Sequence, residues 1–391
     1  MSFNFPLFAR LSFLTWFRSK GTHGQMSRRR RIAMLLWYTV VPVHQLLTHI
    51  CFILDDIFFR AYKQQEVKAP VFLIGNFRSG STLIQRLLSK DEHNFTTMRI
   101  WEIYLAPTIT QRKMWQGIGA IDATLLKGKL RAWMDARDAE WLGKVQMHPI
   151  GLQEPDEDDG LMIMTWSTLF LQFIFPFLDD LPEYERFDQM VSPEDQKRIM
   201  EYYKGCVQRH LYFHGGHQTF LAKNPAMCGK IEAVLEYFPD ARIIYLARNP
   251  FQLVPSVTNF FSYIWHFFGT PLERYPYKER IFSLIKHWYL YPLERLSHRP
   301  DEQYRVMRYD DVVYDLEITI ERIYQWLGKQ LTGPFRQIIQ KTVKDAEGFE
   351  SDNKYTLEEM GLTPEFIRQE FQEVFDYFKF ETEPQLTAVP A

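Results

Sequence analysis

A short apolar run followed by a glycine-containing loop constrains the fold more than any other part of this 391-residue chain. Residues 71–75 read VFLIG, which predicts a parallel strand buried on both faces. The loop 75–82 reads GNFRSGST, and leucine spacing then predicts a helix over 79–90. Such a turn directs backbone N–H groups and a helix N-terminus toward one point, an arrangement that binds anions. The pattern therefore predicts a phosphate-binding loop.

Three further strand-like runs predict an α/β fold. The strand-like runs are 218–223, 242–247 and 304–308. Each is followed by a stretch with helical spacing, at 226–237, 250–261 and 311–327 respectively. Strands that alternate with helices indicate a mainly parallel, P-loop-like sheet flanked by helices. The pattern over about 107–215 is almost entirely helical, which predicts a large helical insertion. We therefore expect one α/β domain over 67–391 and a helical N-terminal appendage over 1–66.

The distribution of charge and cysteine excludes several classes of protein. Residues 1–54 contain seven Lys or Arg and no Asp or Glu, and the remainder holds 39 basic and 48 acidic residues. A net charge of −9 on that remainder argues against a nucleic-acid partner, because phosphate affinity requires a basic excess. The three cysteines are far apart, which excludes a disulfide framework and a cysteine-based zinc site: Cys51, Cys206 and Cys228.

The basic, apolar N-terminal segment predicts contact with a membrane surface. Residues 3–17 are rich in Phe and Leu, and 32–54 form a run of 23 residues without a charged side chain, long enough to span a bilayer. Pro42 interrupts that run, and a polar stripe favours a helix that lies in the interface or docks on the domain: His44, Gln45, Thr48 and His49. A spanning helix, a core helix and a transit peptide are the alternatives, so we expect a cytoplasmic or membrane-associated protein.

Two separated basic positions indicate what the phosphate loop binds. Ser81 stands where the Walker A pattern GxxxxGK[ST] has the lysine that contacts the β and γ phosphates, which disfavours a kinase or NTPase. Arg78 supplies a cation that can bind two oxyanion oxygens at once. Arg248 follows the strand 242–247, at an edge where α/β sheets bind ligands, and Ser256 lies in the next helix. Together Arg248 and Ser256 could bind one further phosphate.

These motifs resemble the sulfotransferases that use 3′-phosphoadenosine 5′-phosphosulfate (PAPS). The matching segments read FLIGNFRSGSTLIQRLL, AKNP, FPDARIIYLARNPFQLVPSV and YRVMRYDDVV. The similarity is to the branch with an RSGTT loop, found in bacterial sulfotransferase-family proteins and more distantly in tyrosylprotein sulfotransferases. It implies in-line transfer of a sulfuryl group from PAPS to a hydroxyl or amine. The alternatives are a P-loop nucleotide kinase and a membrane-associated, non-catalytic member of the fold.

The resemblance also implies residue roles. The 3′-phosphate would be bound by Arg248 and Ser256, and Lys223 would approach the transferring group together with Arg78. Glu102 would be the general base, and its apolar neighbours would raise its pKa. The 5′-phosphosulfate would be held by the loop residues Arg78, Ser79, Gly80, Ser81 and Thr82. The chain departs from the family pattern in two segments, without losing a cation or a backbone donor: at Asn76-Phe77 and at Asn249.

The acidic run 154–159 is the competing source of a base. Acids before an apolar helix are typical of capping and solvation, although Glu157 or Asp158 would be placed to line the acceptor site.

We expect no metal, although three histidines have helical metal-ligand spacing: His210, His214 and His217. The aromatic-rich insertion and the membrane-seeking N-terminus predict a small-molecule or lipid-like acceptor. The turn Tyr309-Asp310-Asp311 is expected to be structural, and a polar loop could close over the 3′-phosphate: Ser351, Lys354 and Tyr355.

Overall fold

The computed structural model describes residues 3–141, 151–346 and 357–382. Within them, five parallel strands form one sheet in the order β2-β3-β1-β4-β5. The strands are β1 (Val71–Gly75), β2 (Phe95–Thr96), β3 (Thr219–Lys223), β4 (Arg242–Ala247) and β5 (Tyr304–Arg308). The predicted parallel sheet is confirmed, and β2 is the strand that the sequence reading missed, because two residues carry too little pattern.

The central position of β1 determines the arrangement of the site. β1 lies between β3 and β4, with Leu73 opposite Lys223 and Gly75 opposite Leu246. The carboxyl ends of these three neighbouring strands therefore meet at one edge of the sheet, where parallel α/β sheets bind their ligands.

Helices surround the sheet. They are α1 (Phe5–Phe17), α2 (Arg28–Phe58), α3 (Ser81–Leu88), α4 (Ile100–Tyr104), α5 (Ile109–Ile121), α6 (Lys129–Trp141), α7 (Leu171–Ile174), α8 (Phe187–Met190), α9 (Pro193–Phe213), α10 (Ile231–Tyr237), α11 (Pro250–Phe268), α12 (Lys278–Leu296), α13 (Tyr309–Tyr314), α14 (Leu316–Leu327), α15 (Gly333–Ala346), α16 (Pro364–Glu370) and α17 (Gln372–Phe378). Two 3₁₀ helices flank the site, Asp158–Thr165 and Pro225–Lys230. The elements described between 107 and 215 are all helical, as predicted.

Alternate residues of β1 pack into two apolar clusters, as the period of a strand requires. Phe72 and Ile74 belong to the larger cluster, which also contains residues of α9 to α12. Val71 and Leu73 belong to the smaller one, with residues of α3, α14 and α15. The N-terminal helices join the larger cluster through Leu11 and other residues, so the appendage packs on the α/β core.

Helix α2 is continuous through Pro42, contrary to the expected interruption. Within the described residues it is the one helix long and apolar enough to cross a membrane, by length and composition alone. Its predicted polar stripe faces the domain: Gln45 and Thr48 are buried, and so is Asp55, the residue directly after the apolar run.

Candidate donor-binding site

The loop between β1 and α3 has the backbone shape of an anion-binding turn. Gly75 has φ +137° and a Cβ there would lie 2.4 Å from the Leu246 carbonyl oxygen. Gly80 caps α3 with φ +88°, and a Cβ there would lie 2.7 Å from the Tyr309 ring. Both positions therefore require glycine. The first N–H groups of α3 have no partner within the helix, so they are available at the loop for a phosphate or sulfate.

The structure brings the two predicted basic motifs into contact. Arg78 Nε donates to Ser256 Oγ at 3.2 Å, and Arg248 Nη1 donates to the Arg78 carbonyl oxygen at 2.9 Å. The Arg248 guanidinium also stacks over the Tyr309 ring at 4.1 Å. Side chains from three separate chain segments therefore meet beside the loop. An anion bound there would meet two guanidinium groups and a hydroxyl, the geometry that binds phosphate oxygens.

One buried polar atom in the loop is available for a ligand. Ser79 is fully buried, and among the described residues its Oγ has no hydrogen-bond partner. An unsatisfied buried hydroxyl costs about 1–3 kcal/mol, so a bound oxyanion would relieve that cost. The charge, the backbone shape and this hydroxyl together fit a donor that carries two separate anionic groups.

Lys223 lies at the end of β3, beside the strand that enters the loop. Its side chain is 1% exposed, and Nζ lies 2.8 Å from Glu157 Oε1 and 3.9 Å from Asp156 Oδ1. A buried ammonium is expected to have such partners, because an isolated charge in the interior is very unfavourable. The ion pair joins the helical insertion to the carboxyl edge of the sheet.

Burial increases along the acidic run, from the exposed Glu154 to the fully buried Asp158 and Asp159 in the first turn of the 3₁₀ helix, so the expected solvation applies only to its start. Asp158 accepts a hydrogen bond from Asn224 Nδ2 at 2.9 Å, and Asp159 pairs with the buried Lys230. Burial raises the pKa of Glu157 although Lys223 opposes the shift, and burial raises the pKa of Asp158 to about 7. The run therefore contains carboxyls that retain protons more strongly than solvated acids do.

Glu102 has a different environment from the one predicted. Its Oε2 accepts the Arg99 backbone N–H at 2.9 Å, and its Oε1 lies 3.2 Å from Arg112 Nη1 and 2.9 Å from His214 Nε2. Burial alone would raise the pKa of Glu102, but this guanidinium holds it well below the usual range. The expected rise in pKa is therefore wrong. Sequence neighbours could not reveal the cause, since Arg112 comes from α5 and His214 from the end of α9.

Glu102, His210 and His214 are close enough to suggest a cation site, with one ligand atom from each within 4.8 Å of the others. Arg112, however, also approaches His210 Nδ1, at 3.1 Å, while His210 Nε2 faces Thr96 Oγ1 at 2.8 Å. A cation there would have to displace the buried guanidinium. The absence of a metal remains a prediction, and His217 lies outside the cluster.

One residue of the site had a different predicted role. Tyr309 was expected to be structural, yet its ring stacks under Arg248 and limits the space at Gly80. Its position directly after β5, next to β4, was the available signal. The predicted closing residues lie outside the described residues: Ser351, Lys354 and Tyr355.

Comparison with known proteins agrees with this geometry. Residues 70–333 match the Sulfotransferase family. Omega-hydroxy-beta-dihydromenaquinone-9 sulfotransferase Stf3 of Mycobacterium tuberculosis, like that of Mycobacterium bovis, is 26% identical over 273 residues. The match covers 66% of this chain and 62% of the relative.

Two solved structures share the fold. Sulfotransferase STF9 from Mycobacterium avium has a TM-score of 0.68 at 20% identity, covering 86% of this chain and 83% of the other. Sulfotransferase STF1 from Mycobacterium tuberculosis has a TM-score of 0.64 at 15% identity, covering 94% and 92%. The resemblance noted in the motifs is confirmed over two thirds of the sequence, and the chain belongs to the sulfotransferase family.

Proposed function

We propose that this protein transfers the sulfuryl group of PAPS to a hydroxyl, or an amine, of a lipid-like acceptor. The observation that carries the proposal is the contact of Arg78 with Ser256 and of Arg248 with the Arg78 carbonyl. It unites the loop expected to hold the 5′-phosphosulfate with the pair expected to hold the 3′-phosphate. A donor with only a 5′ chain of phosphates would leave the second cationic position unused.

The chemistry requires charge stabilisation and removal of one proton. PAPS supplies an activated sulfur whose bond to the bridging phosphate oxygen breaks as the acceptor oxygen bonds to sulfur, leaving adenosine 3′,5′-bisphosphate. We expect Lys223, at the carboxyl edge of the sheet, to neutralise charge that develops on the leaving oxygen. Arg78 and the loop N–H groups would hold the remaining oxyanions in line with the acceptor.

We propose Glu157 as the group that accepts the proton of the acceptor. It lies 2.8 Å from Lys223 Nζ, so the base and the cation that stabilises the leaving group would act at neighbouring positions. Its pKa is raised by burial, which makes it a better proton acceptor than a solvated carboxylate. Glu102, with both oxygens engaged and its pKa held low, is the weaker candidate.

The lipid-like acceptor is supported by the relative Stf3, whose name gives an omega-hydroxylated dihydromenaquinone as its acceptor. This chain covers 62% of that relative's length, so its own acceptor must be identified directly. An acceptor dissolved in a bilayer also requires the enzyme to work at a membrane, as the apolar N-terminal segment predicted.

Calorimetry with adenosine 3′,5′-bisphosphate tests the donor assignment. We expect binding to the wild type, and for Arg248→Ala a loss of about 10- to 100-fold, because a hydrogen bond to a charged group contributes about 1.5–3 kcal/mol. Adenosine 5′-monophosphate is the matched ligand, since it should bind both proteins equally weakly. Magnesium-dependent ADP binding without a preference for the 3′-phosphate would instead support a kinase.

Mass spectrometry of lipid extracts incubated with enzyme and labelled PAPS tests the acceptor. A labelled, organic-soluble product that requires active enzyme is expected. Label confined to water-soluble sugars would contradict the lipid assignment. Donor binding without any labelled product, across extracts and added acceptors, would support the non-catalytic alternative.

A further inference from the structure

The exposed face of α2 is apolar through the middle of the helix. Leu36, Val40, Val43, Leu47 and Ile50 recur at spacings of three and four residues, and each is between 44% and 62% exposed. That spacing places them on one side of the helix. A continuous exposed apolar surface of this size is unusual on a soluble protein and marks a surface that contacts another apolar phase.

The opposite face of α2 is fixed to the domain by polar contacts. Near the first turn, Arg30 Nη2 donates to the Ile174 carbonyl at 3.0 Å. Farther along, Thr48 Oγ1 accepts from Gln111 Nε2 at 2.9 Å. In the last turns, Asp55 Oδ2 lies 3.0 Å from Arg209 Nε.

These contacts determine how α2 can meet a bilayer. Arg30 and Asp55 are 25 residues apart, about 38 Å along the helix, which exceeds the ~30 Å of a hydrocarbon core. If α2 crossed the membrane, the domain held against it would have to enter the hydrocarbon as well. A helix that lies parallel to the surface keeps every one of these contacts.

The charges around the apolar face indicate the chemistry of the membrane. Arg18, Lys20, Arg28 and Arg31 are exposed near the start of α2, and residues 1–54 contain no acid. Helix α1 adds aromatic side chains at this end: Phe5, Phe13 and Phe17, each more than half exposed. Cations and aromatic rings beside an apolar helix face are typical of helices that bind anionic bilayers in the interface.

We infer that α1 and α2 together form a monotopic docking surface for an anionic bilayer, with α2 in the plane of the interface. The inference does not depend on the identity of the donor or of the acceptor. It differs from a spanning anchor and from a contact between two copies of the chain.

Vesicle co-sedimentation of the purified full-length protein tests the docking surface. We expect binding to phosphatidylcholine vesicles that contain phosphatidylglycerol, and a loss of about tenfold or more for the double variant Leu36→Glu and Val43→Glu. The matched control places the same charges on exposed apolar positions of α13 and α14, Tyr314→Glu and Ile318→Glu, and should bind like the wild type. Unchanged melting temperature and bisphosphate affinity show that each variant is folded.

Two further measurements separate the competing arrangements. Arg28→Gln with Arg31→Gln should weaken binding to the anionic vesicles by about 30-fold and leave the weak binding to neutral vesicles unchanged. Alkaline carbonate should release the protein from cell membranes, whereas retention in the pellet would mean that α2 spans. Absence of vesicle binding, or a dimer in sedimentation velocity that Leu36→Glu dissociates, would overturn the inference.

Discussion

Replacement of Glu157 by Gln is the most informative change in the site. The amide has the same size as the carboxylate and keeps an oxygen that can accept from Lys223 Nζ, which lies 2.8 Å from Oε1. The fold and the position of the lysine should therefore be preserved. What is lost is the negative charge, and with it the ability to take a proton from the acceptor.

Glu157→Gln should change turnover and donor affinity in different directions. Loss of a general base lowers kcat by about 10²- to 10⁴-fold, or about 2.7–5.4 kcal/mol in the barrier. Lys223 would then keep only the more distant Asp156 carboxylate, at 3.9 Å, and become more available to the donor, so bisphosphate affinity should stay constant or rise by up to about tenfold. A large fall in kcat without weaker donor binding is the expected signature.

The assay combines single-turnover transfer from labelled PAPS to the identified acceptor, calorimetry with the bisphosphate, and the pH dependence of kcat. The wild type should lose activity as falling pH protonates Glu157. Burial raises the pKa of this carboxyl, and the nearby Lys223 only partly offsets the rise. That acidic limb should disappear in Glu157→Gln.

Glu102→Gln is the matched control. It breaks a buried ion pair with Arg112, which typically costs about 3–5 kcal/mol of unfolding free energy. Turnover per folded molecule should change little. If Glu157→Gln keeps more than about a third of wild-type turnover, or if folded Glu102→Gln shows the hundredfold loss instead, the assignment of the base is refuted.

Three further changes test other parts of the site. Gly80→Ala should lower the free energy of unfolding by about 1–2 kcal/mol or more, measured in urea, because φ is +88° and Tyr309 lies within 2.7 Å of the new Cβ. Burial holds the pKa of His210 well below 6.5, so its stabilisation is present above pH 6.5 and lost as pH falls. His210→Gln should therefore flatten the decline of about 1.4 kcal/mol per pH unit below 6.5. Lys223→Met should lower kcat by about 10²-fold or more, and unchanged turnover would exclude its role at the leaving group.

The donor half of the site was predictable because it depends on local pattern. A glycine directly after an apolar, strand-like run is visible in the sequence, and so is the arginine that follows the run 242–247. Parallel strands then bring their carboxyl ends to one edge, which places Arg78, Lys223 and Arg248 at the ends of three neighbouring strands without any knowledge of side-chain packing.

The surroundings of Glu102 and of the acidic run were not predictable in the same way, since they depend on contacts between distant helices. The partners of Glu102 come from α5 and α9, and they reverse the pKa shift that its apolar neighbours suggested. The acidic run looked solvated because no sequence pattern indicates that Lys223 and Lys230 are buried opposite it. Pairing of charges across an insertion becomes visible only when the insertion is folded.

One chain segment connects the inferred membrane surface to the proposed base. Gln45 of α2 donates to the Ile163 carbonyl at 3.4 Å, within the 3₁₀ helix Asp158–Thr165 that directly follows Glu157. Six residues of 3₁₀ helix span only about 12 Å. Because α2 contacts the 3₁₀ helix that follows Glu157, a helix lying in the interface would hold the proposed base on the part of the domain next to the membrane-facing helix. A lipid-like acceptor of the proposed kind would then have to expose little apolar surface to water in order to approach the proposed base.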